Sequence, residues 1–518
     1  MSRNDNLPGM VRHAMRMMVG TLASRILGLA REMLTAALFG ATRQLDAFYV
    51  AYTIANLSRQ LLAEGALSAS FVPVFSRTLE SKGKDSAESL AKQAISVLML
   101  GGAFVVTVGI IFAPVLVGIM APGFAAEERA LAVSLTRIMF PFLLFVSVGA
   151  LAMGVLNSMG SFFVPAVAPA VSNLAYILFL LATMKNLSIW NLSAAVLIGG
   201  ACHMTLQWYW CGRMGMLLTP SVPTRKNEEL KKMMYLFFPY AAGLSLNQVN
   251  PVISRMFGSF LTGGSISVLT YADRVLQLPL GLFVIAISQA VLPMLSRQDP
   301  ADRAGFRDFI RDALRFDLFV ILPVSVGLIA LSQEMIHILF FRGAFTEWAW
   351  HATGTALAIY ALGLPGMASS TVILRAMYAR GMPRGAVGVT AVTVAVNLTA
   401  CVLLMPVFMY AGLAGATALA FTCSSLYGAW ALSRNLSEPL GVFGLKWVAK
   451  ISFSTAFMFI VLNMLKTVMP YPLSASVLIR AGWLAVMVLA GVILYSIPTI
   501  LLRCSEWGWI RDALKKRQ

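Results

Sequence analysis

The sequence predicts an all-α polytopic membrane protein of about fourteen transmembrane helices, arranged as two six-helix lobes related by an axis along the membrane normal, plus two C-terminal helices. Three observations carry that expectation. Hydrophobic residues fill 58% of the 518 positions and charged residues only 12%, a composition far from that of soluble domains. Apolar stretches of about 20 residues, the length that crosses one bilayer, recur along the whole chain. Lysine and arginine gather in alternate connections between those stretches, as they do on the cytoplasmic side of membrane proteins.

In chain order the N-lobe spans are expected at 14–39, 44–76, 90–117, 130–156, 162–184 and 190–212. The first begins after ten polar residues and carries too much charge for the apolar core of a signal peptide, so it reads as retained and as its own insertion signal. The basic stretch 213–232, "RMGMLLTPSVPTRKNEELKK", interrupts the apolar pattern and reads as the linker between lobes. The C-lobe spans follow at 230–260, 266–295, 307–331, 347–379, 385–405 and 411–433, and a last pair at 444–466 and 478–502 precedes a basic tail. The division is therefore an N-lobe over 1–213, a linker over 214–232, a C-lobe over 233–435, and the final pair with its tail over 436–518. Two short matches support a repeat. "SASFVPVFSR" (68–77) pairs with "SQAVLPMLSR" (288–297) at an offset of 220, and "LNSMG" (156–160) pairs with "AMYARG" (376–381) at nearly the same offset. Prolines 141, 239, 251, 279, 323 and 365 supply breaks within later spans.

Orientation follows from the 40 lysines and arginines. Placing both termini in the cytoplasm puts 28 of them on that side and six outside, with the other six inside spans. The net charge of +18 does not indicate nucleic acid, because the basic residues punctuate apolar runs instead of forming a solvated face. The five cysteines lie far apart, and the four histidines are scattered. No metal-ligand spacing, nucleotide-binding loop or nucleophile motif is present, so no metal, cofactor or enzyme activity is expected.

The six cations inside spans are Arg25, Arg31, Arg59, Arg137, Arg255 and Arg274, and the acids that accompany them are Glu32, Asp46, Glu64 and Asp273. A guanidinium at mid-bilayer costs at least about 2.5–3.5 kcal/mol on insertion scales, so each needs a partner or a watered cavity. Four acids do not neutralise six cations. Arg137 and Arg255, each alone in its span, read first as snorkelling or helix-stapling residues, whereas three arginines in the first two spans point to a ligand. Arg25 and Arg31 lie about 120° apart on a straight helix, and a bend at Gly28 would aim both inward. An arginine-lined cavity favours an anion, and the planar fork of arginine suits phosphate oxygens. The residues alone thus reach a transporter for an anionic, phosphate-bearing substrate, driven by an ion gradient or the membrane potential.

"SRILGLAREMLTAALFGA" (24–41), "DAFYVAYTIANLSRQLLAEGALSASFVPVFS" (46–76) and "YADRVLQLPLGLFVIAISQAVLPMLS" (271–296) resemble the MurJ (MviN) family of lipid II flippases, within the multidrug/oligosaccharidyl-lipid/polysaccharide exporter superfamily. "APGF" (121–124), "LNSMGSFFVPAVAP" (156–169) and "RGAFT" (342–346) extend the likeness over essentially the whole chain. The resemblance implies alternating-access movement of undecaprenyl-diphosphate-linked peptidoglycan precursor to the outer leaflet of the bacterial inner membrane, for cell-wall and peptidoglycan biosynthesis and hence cell shape. It implies that Arg25, Arg31, Arg59 and Arg274 bind the diphosphate, and that Ser24, Glu32, Asp46, Asn56, Glu64 and Asp273 line the cavity or gate it. The last two helices would hold the polyprenyl tail. Lipid II and membrane lipids are then the partners, with cell-wall synthesis enzymes as further ones.

Three departures accompany the resemblance. Glu32 stands where the family often has aspartate, and Arg255 where an uncharged residue is usual. No acid lies between Glu229 and Asp273 or between Glu347 and Glu438, which argues against a sodium site on helices 7 and 11. Three alternatives stay open. They are a flippase for another polyprenyl-diphosphate glycan, a cation or drug antiporter that would depend on a carboxylate such as Asp46, and a non-transporting scaffold for cell-wall enzymes.

Overall fold

The structure is a computed structural model and describes residues 7–60, 67–223, 227–245, 248–284, 302–436, 438–442 and 444–515. The described residues are overwhelmingly helical and contain no strand. They form two compact units, Met1–Gly264 and Ser265–Gln518.

The first unit contains α1 (Leu7–Phe39), α2 (Arg43–Ser58), α3 (Ser68–Ile111), α4 (Ala113–Met120), α5 (Ala126–Met139), α6 (Phe142–Ser158), α7 (Phe163–Ala182), α8 (Ile189–Arg213), α9 (Glu228–Ser245) and α10 (Val249–Gly258). Local chemistry sets its boundaries. Gly40 ends α1 with φ at 63°, where only glycine escapes a Cβ clash. Thr42 then caps α2, accepting the Leu45 amide at 3.3 Å. α3 merges the end of the expected second span with the third; the helix breaks only at Gly83, with φ 79° and ψ −179°. Residues 214–223, expected as linker, lie against α3. Ser221 donates its amide to Ser96 Oγ at 2.8 Å, and Met216 and Leu218 are buried. α9 also packs on α3, and Lys82 and Glu229 form an ion pair between them.

The second unit contains α11 (Ser265–Pro279), which continues as a π turn over Leu280–Val284, then α12 (Arg303–Phe340), α13 (Glu347–Leu362), α14 (Leu364–Ala379), α15 (Pro383–Leu436), α16 (Leu445–Val468), α17 (Val477–Leu501) and α18 (Glu506–Lys515). Asp302 caps α12 through the Gly305 amide at 2.8 Å. α15 contains the expected eleventh and twelfth spans, separated only by a break at Met409, φ 49° and ψ −127°. Its core gathers Ile310, Leu314 and Phe319 of α12 with Ile373 of α14, Leu432 of α15, Ile451 of α16 and Tyr495 of α17.

Among the described residues eight helical runs are long and apolar enough to cross a membrane, α5 and α6 counting as one over Ala126–Ser158, and α13 with α14, bent by 43°, passes as a ninth span. α1 is not among the eight, and α2 is 16 residues long. The chain is therefore an all-α polytopic membrane protein. One of the two repeat matches has a common backbone. Gly160 and Gly381 have φ of 79° and 69°, and in each case the next residue donates its amide five residues back at 2.8 Å, Ser161 to Leu156 and Met382 to Met377. The other match includes 288–297, which lies outside the described residues.

Candidate functional site

The first unit concentrates its polar side chains where α1, α2, α7 and α8 meet. Arg31 on α1 pairs with its neighbour Glu32 at 2.6 Å. Arg31 Nη1 also donates to Asn173 Oδ1 on α7 at 3.2 Å, and its guanidinium lies 5.3 Å from the Tyr176 ring centroid. Asn173 uses its own amide to hold α1, donating to the Ser24 carbonyl at 3.2 Å. Glu32 is buried and accepts the Tyr49 hydroxyl of α2 at 3.1 Å. Thr35 and Tyr176 share a hydrogen bond at 3.2 Å. Each partner answers part of the cost of keeping ionised groups among spans.

Arg31 and Arg59 line one cavity of about 170 Å³, together with Tyr52, Asn173, Tyr176 and His203. Arg59 sits where α2 widens into a π turn, a distortion that recurs at functional positions. Its Nε donates to Asn56 Oδ1 at 2.8 Å, so Asn56 aims the guanidinium. Glu32 and Asn173 take two of the five N–H groups of Arg31. Two guanidinium groups converging on one small cavity are suited to phosphoryl oxygens.

The other expected residues are placed as follows. Arg25 is half-buried on α1, makes no hydrogen bond or ion pair with any described residue, and does not line the Arg31–Arg59 cavity. α1 runs as continuous helix through Gly28, where a Cβ would stand 3.5 Å from Asn173 Nδ2. Asp46 accepts the Gly264 amide at 2.6 Å, beside a second cavity of about 170 Å³ lined by Arg43, Gly123 and Ser259. Arg255 donates to Thr53 Oγ1 at 3.2 Å and lies over the Tyr49 ring. Arg137 donates to the Ile110 carbonyl at 3.2 Å, as a structural arginine would. In the second unit, Asp273 accepts from Gln277 at 2.6 Å, and Arg274 follows it on α11. Glu64 lies outside the described residues. Among the described residues no cluster of three or more His, Cys, Asp or Glu could hold a metal ion.

Sequence reading missed Tyr49, Asn173, Tyr176 and His203. Their signal was present but weak, since each is a polar or amphipathic side chain within an apolar span. Only the fold shows that α7 meets α1.

A bundle of membrane-spanning helices with two arginines at one cavity is the architecture of a membrane transporter. Residues 35–502 match the model of the family described as lipid II flippase MurJ. A probable lipid II flippase MurJ of Rhizobium tropici is 33% identical over 517 residues, covering 96% of this chain and 95% of that protein. The lipid II flippase MurJ of Burkholderia cenocepacia is 33% identical over 368 residues, 70% of this chain and 71% of that one. A solved structure of a lipid II flippase MurJ in an inward closed conformation superposes with a TM-score of 0.78 at 27% identity, covering 94% of this chain and 98% of the other. An inward-facing multidrug resistance transporter of the MATE family and MOP superfamily shares the fold, with a TM-score of 0.65 at 14% identity over 80% of this chain and 94% of that one. The chain belongs to the lipid II flippase MurJ family.

Proposed function

We propose that this protein is a lipid II flippase, moving the undecaprenyl-diphosphate-linked peptidoglycan precursor from the inner to the outer leaflet of the bacterial cytoplasmic membrane by alternating access. The protein works as a transporter and not as an enzyme. The observation that carries the reading is the cavity shared by Arg31 and Arg59 in a chain whose residues 35–502 match the lipid II flippase family. A diphosphate supplies the negative charge that the surrounding acids do not.

In this reading Arg31 and Arg59 hold the diphosphate, with Glu32, Asn56 and Asn173 fixing their directions. Arg25 and Arg274 are further cations for the same substrate, and Ser24, Glu64 and Asp273 serve the cavity or its gating. Asp46, bonded to the Gly264 amide, acts as a gating residue. The two six-helix repeats, 1–213 and 233–435, are supported by the matched closures at Gly160 and Gly381. The charge split supports a cytoplasmic position for both termini, with the basic tail against anionic lipid. Membrane lipids and cell-wall synthesis enzymes are its surroundings and further partners.

Growth of cells depleted of their own flippase tests the proposal. Expression of this chain restores growth, and the Arg31→Ala and Arg59→Ala forms do not. Full growth with both variants at normal membrane abundance would remove the site, and failure of the well-inserted wild-type chain would point to another lipid-linked glycan.

A further inference from the structure

Asp317 plays no part in the site described above, and its surroundings give it no structural task. It lies inside α12, one of the helices that cross the membrane, on a buried stripe with Ile310, Leu314 and Ile321, and is itself 0% exposed. Two proline breaks meet α12 within about two turns of it, and each is repaired. Pro323 brings no amide to the Phe319 carbonyl, which takes the Tyr495 hydroxyl of α17 at 2.9 Å instead. Pro365 on α14 brings none to the Ala361 carbonyl, which takes Ser325 Oγ of α12 at 2.5 Å. Asp317 receives no such partner. Among the described residues it is the one carboxyl group whose two oxygens are both buried and unbonded. No charge answers it either. The elements packed on α12 are α13 to α18 and the π turn; the π turn carries no titratable group, and α13 meets the other half of α12, through Ser325 and Gln333. Beside the half that holds Asp317 the titratable groups are Arg375 and Arg380 of α14, Arg434 of α15, Lys450 of α16, Tyr495 of α17 and Glu506 of α18, and none of them bonds to Asp317 or acts on its charge. On α12 itself, Arg315 turns away to the carbonyls of Gly441 and Val442. An ionised carboxylate here would have neither water, nor cation, nor donor, so the seat admits the neutral acid. As a packing residue a neutral acid is inferior to leucine, because its own O–H and carbonyl go unpaired.

We propose that Asp317 is a proton-carrying site of the transport cycle. It holds a proton in the arrangement described, where it is sealed from water, and gives it up when α12 and its proline-broken neighbour rearrange during alternating access. The step is a proton transfer alone. The carboxyl group releases H⁺ to water on one side of the membrane, the carboxylate takes one from water on the other, and no other bond forms or breaks. The inference rests on the lipid II flippase reading and adds to it the coupling ion and its seat.

Two measurements on the purified full-length protein test it, comparing wild type, Asp317→Asn and Asp317→Glu. Size-exclusion profiles check that each is folded, and Asp317→Leu replaces Asp317→Asn if that variant is not. The infrared spectrum of the protein in lipid should contain the carbonyl band of a buried, protonated carboxyl group, and Asp317→Asn should lose it. In proteoliposomes containing lipid II, with the membrane potential clamped, a pH difference of about one unit should shift the equilibrium distribution of lipid II between leaflets about tenfold for one proton per cycle. Reversing the pH difference should reverse the shift. Asp317→Asn should show no shift, and Asp317→Glu, which keeps a titratable group, should retain it. A carbonyl band unchanged in Asp317→Asn, or a full shift in that variant, would overturn the inference and leave the flippase reading intact. So would a wild-type protein that moves lipid II without responding to the pH difference. Loss of the shift in Asp317→Glu as well would assign the residue to packing and overturn the inference too. Failure of the folded wild-type protein to move lipid II would refute the flippase reading and this inference with it.

Discussion

Replacing Arg31 by alanine removes a structural cation and a ligand at once, and a second substitution separates the two. Glu32 is 4% exposed and faces Arg31 at 2.6 Å. Without the guanidinium it keeps the Tyr49 hydroxyl at 3.1 Å but loses its charge partner. Breaking a buried pair from one side costs about 3–5 kcal/mol. Because the Arg31 side chain is 20% exposed, water offsets part of this, and a loss of about 2–3 kcal/mol is expected. Adding Glu32→Gln removes the buried charge while keeping an acceptor for Tyr49, so the double variant should return to within about 1 kcal/mol of wild type. Affinity should behave differently. Loss of a guanidinium–phosphate contact is worth about 1.5–3 kcal/mol, roughly 10- to 100-fold in Kd, and Glu32→Gln does not restore it. Thermal unfolding in detergent and lipid II binding in nanodiscs, run on the same preparations, measure the two effects. A double variant that regains both stability and affinity would show that Arg31 serves the fold alone.

Other consequences follow from particular contacts. Asp46→Ala strands the buried Gly264 amide and should cost about 1–3 kcal/mol in unfolding measurements, whereas Asp46→Asn, which keeps an acceptor, should cost less. Gly123→Ala puts a Cβ 2.7 Å from the backbone of Ser259 and Phe260, so the two loops must part; a lowered melting temperature with faster proteolysis near residue 123 is expected. The hydrogen bond from Lys82 holds the Glu229 carboxyl below its ordinary value of 4.5, so the pair contributes above that range and its contribution disappears as pH falls through the lowered value. The effect is small for so exposed a pair, and it should appear as an acid-side loss of stability in wild type that Glu229→Gln lacks. Glu506 is fully buried and accepts the Trp447 indole at 2.5 Å. Glu506→Ala should free α18, seen as red-shifted tryptophan fluorescence and cleavage after residue 503.

The elements legible in the sequence were those written in strong local signals. Apolar length located the spans, and the excess of arginine over acid located Arg31 and Arg59, because an unmatched guanidinium in a span is costly wherever the fold places it. The breaks within α3 and α15 were read as connections, and only one had a visible cause. Glycine explains the turn at Gly83, but nothing local announces a positive φ at Met409. The partners of Arg31 were out of reach for a different reason. Asn173 is 142 residues away, and a neutral amide in an apolar span carries no charge signal. The same limit hid a pairing in the second unit, where Lys466, at the end of its span, meets Glu334 of α12 at 2.6 Å. Asp317, fully buried in α12, lies in a span without an arginine at its middle, so no charge imbalance marks it in the sequence.

The measurement closest to the central claim is the appearance of lipid II in the outer leaflet, read by its cleavage with a membrane-impermeant hydrolase added outside cells depleted of their own flippase. At matched membrane abundance, wild-type protein should make lipid II cleavable, and the Arg31→Ala/Glu32→Gln protein, folded but without its ligand, should not. Equal cleavage with both would contradict a diphosphate site at Arg31, and no cleavage with well-inserted wild type would contradict lipid II transport itself.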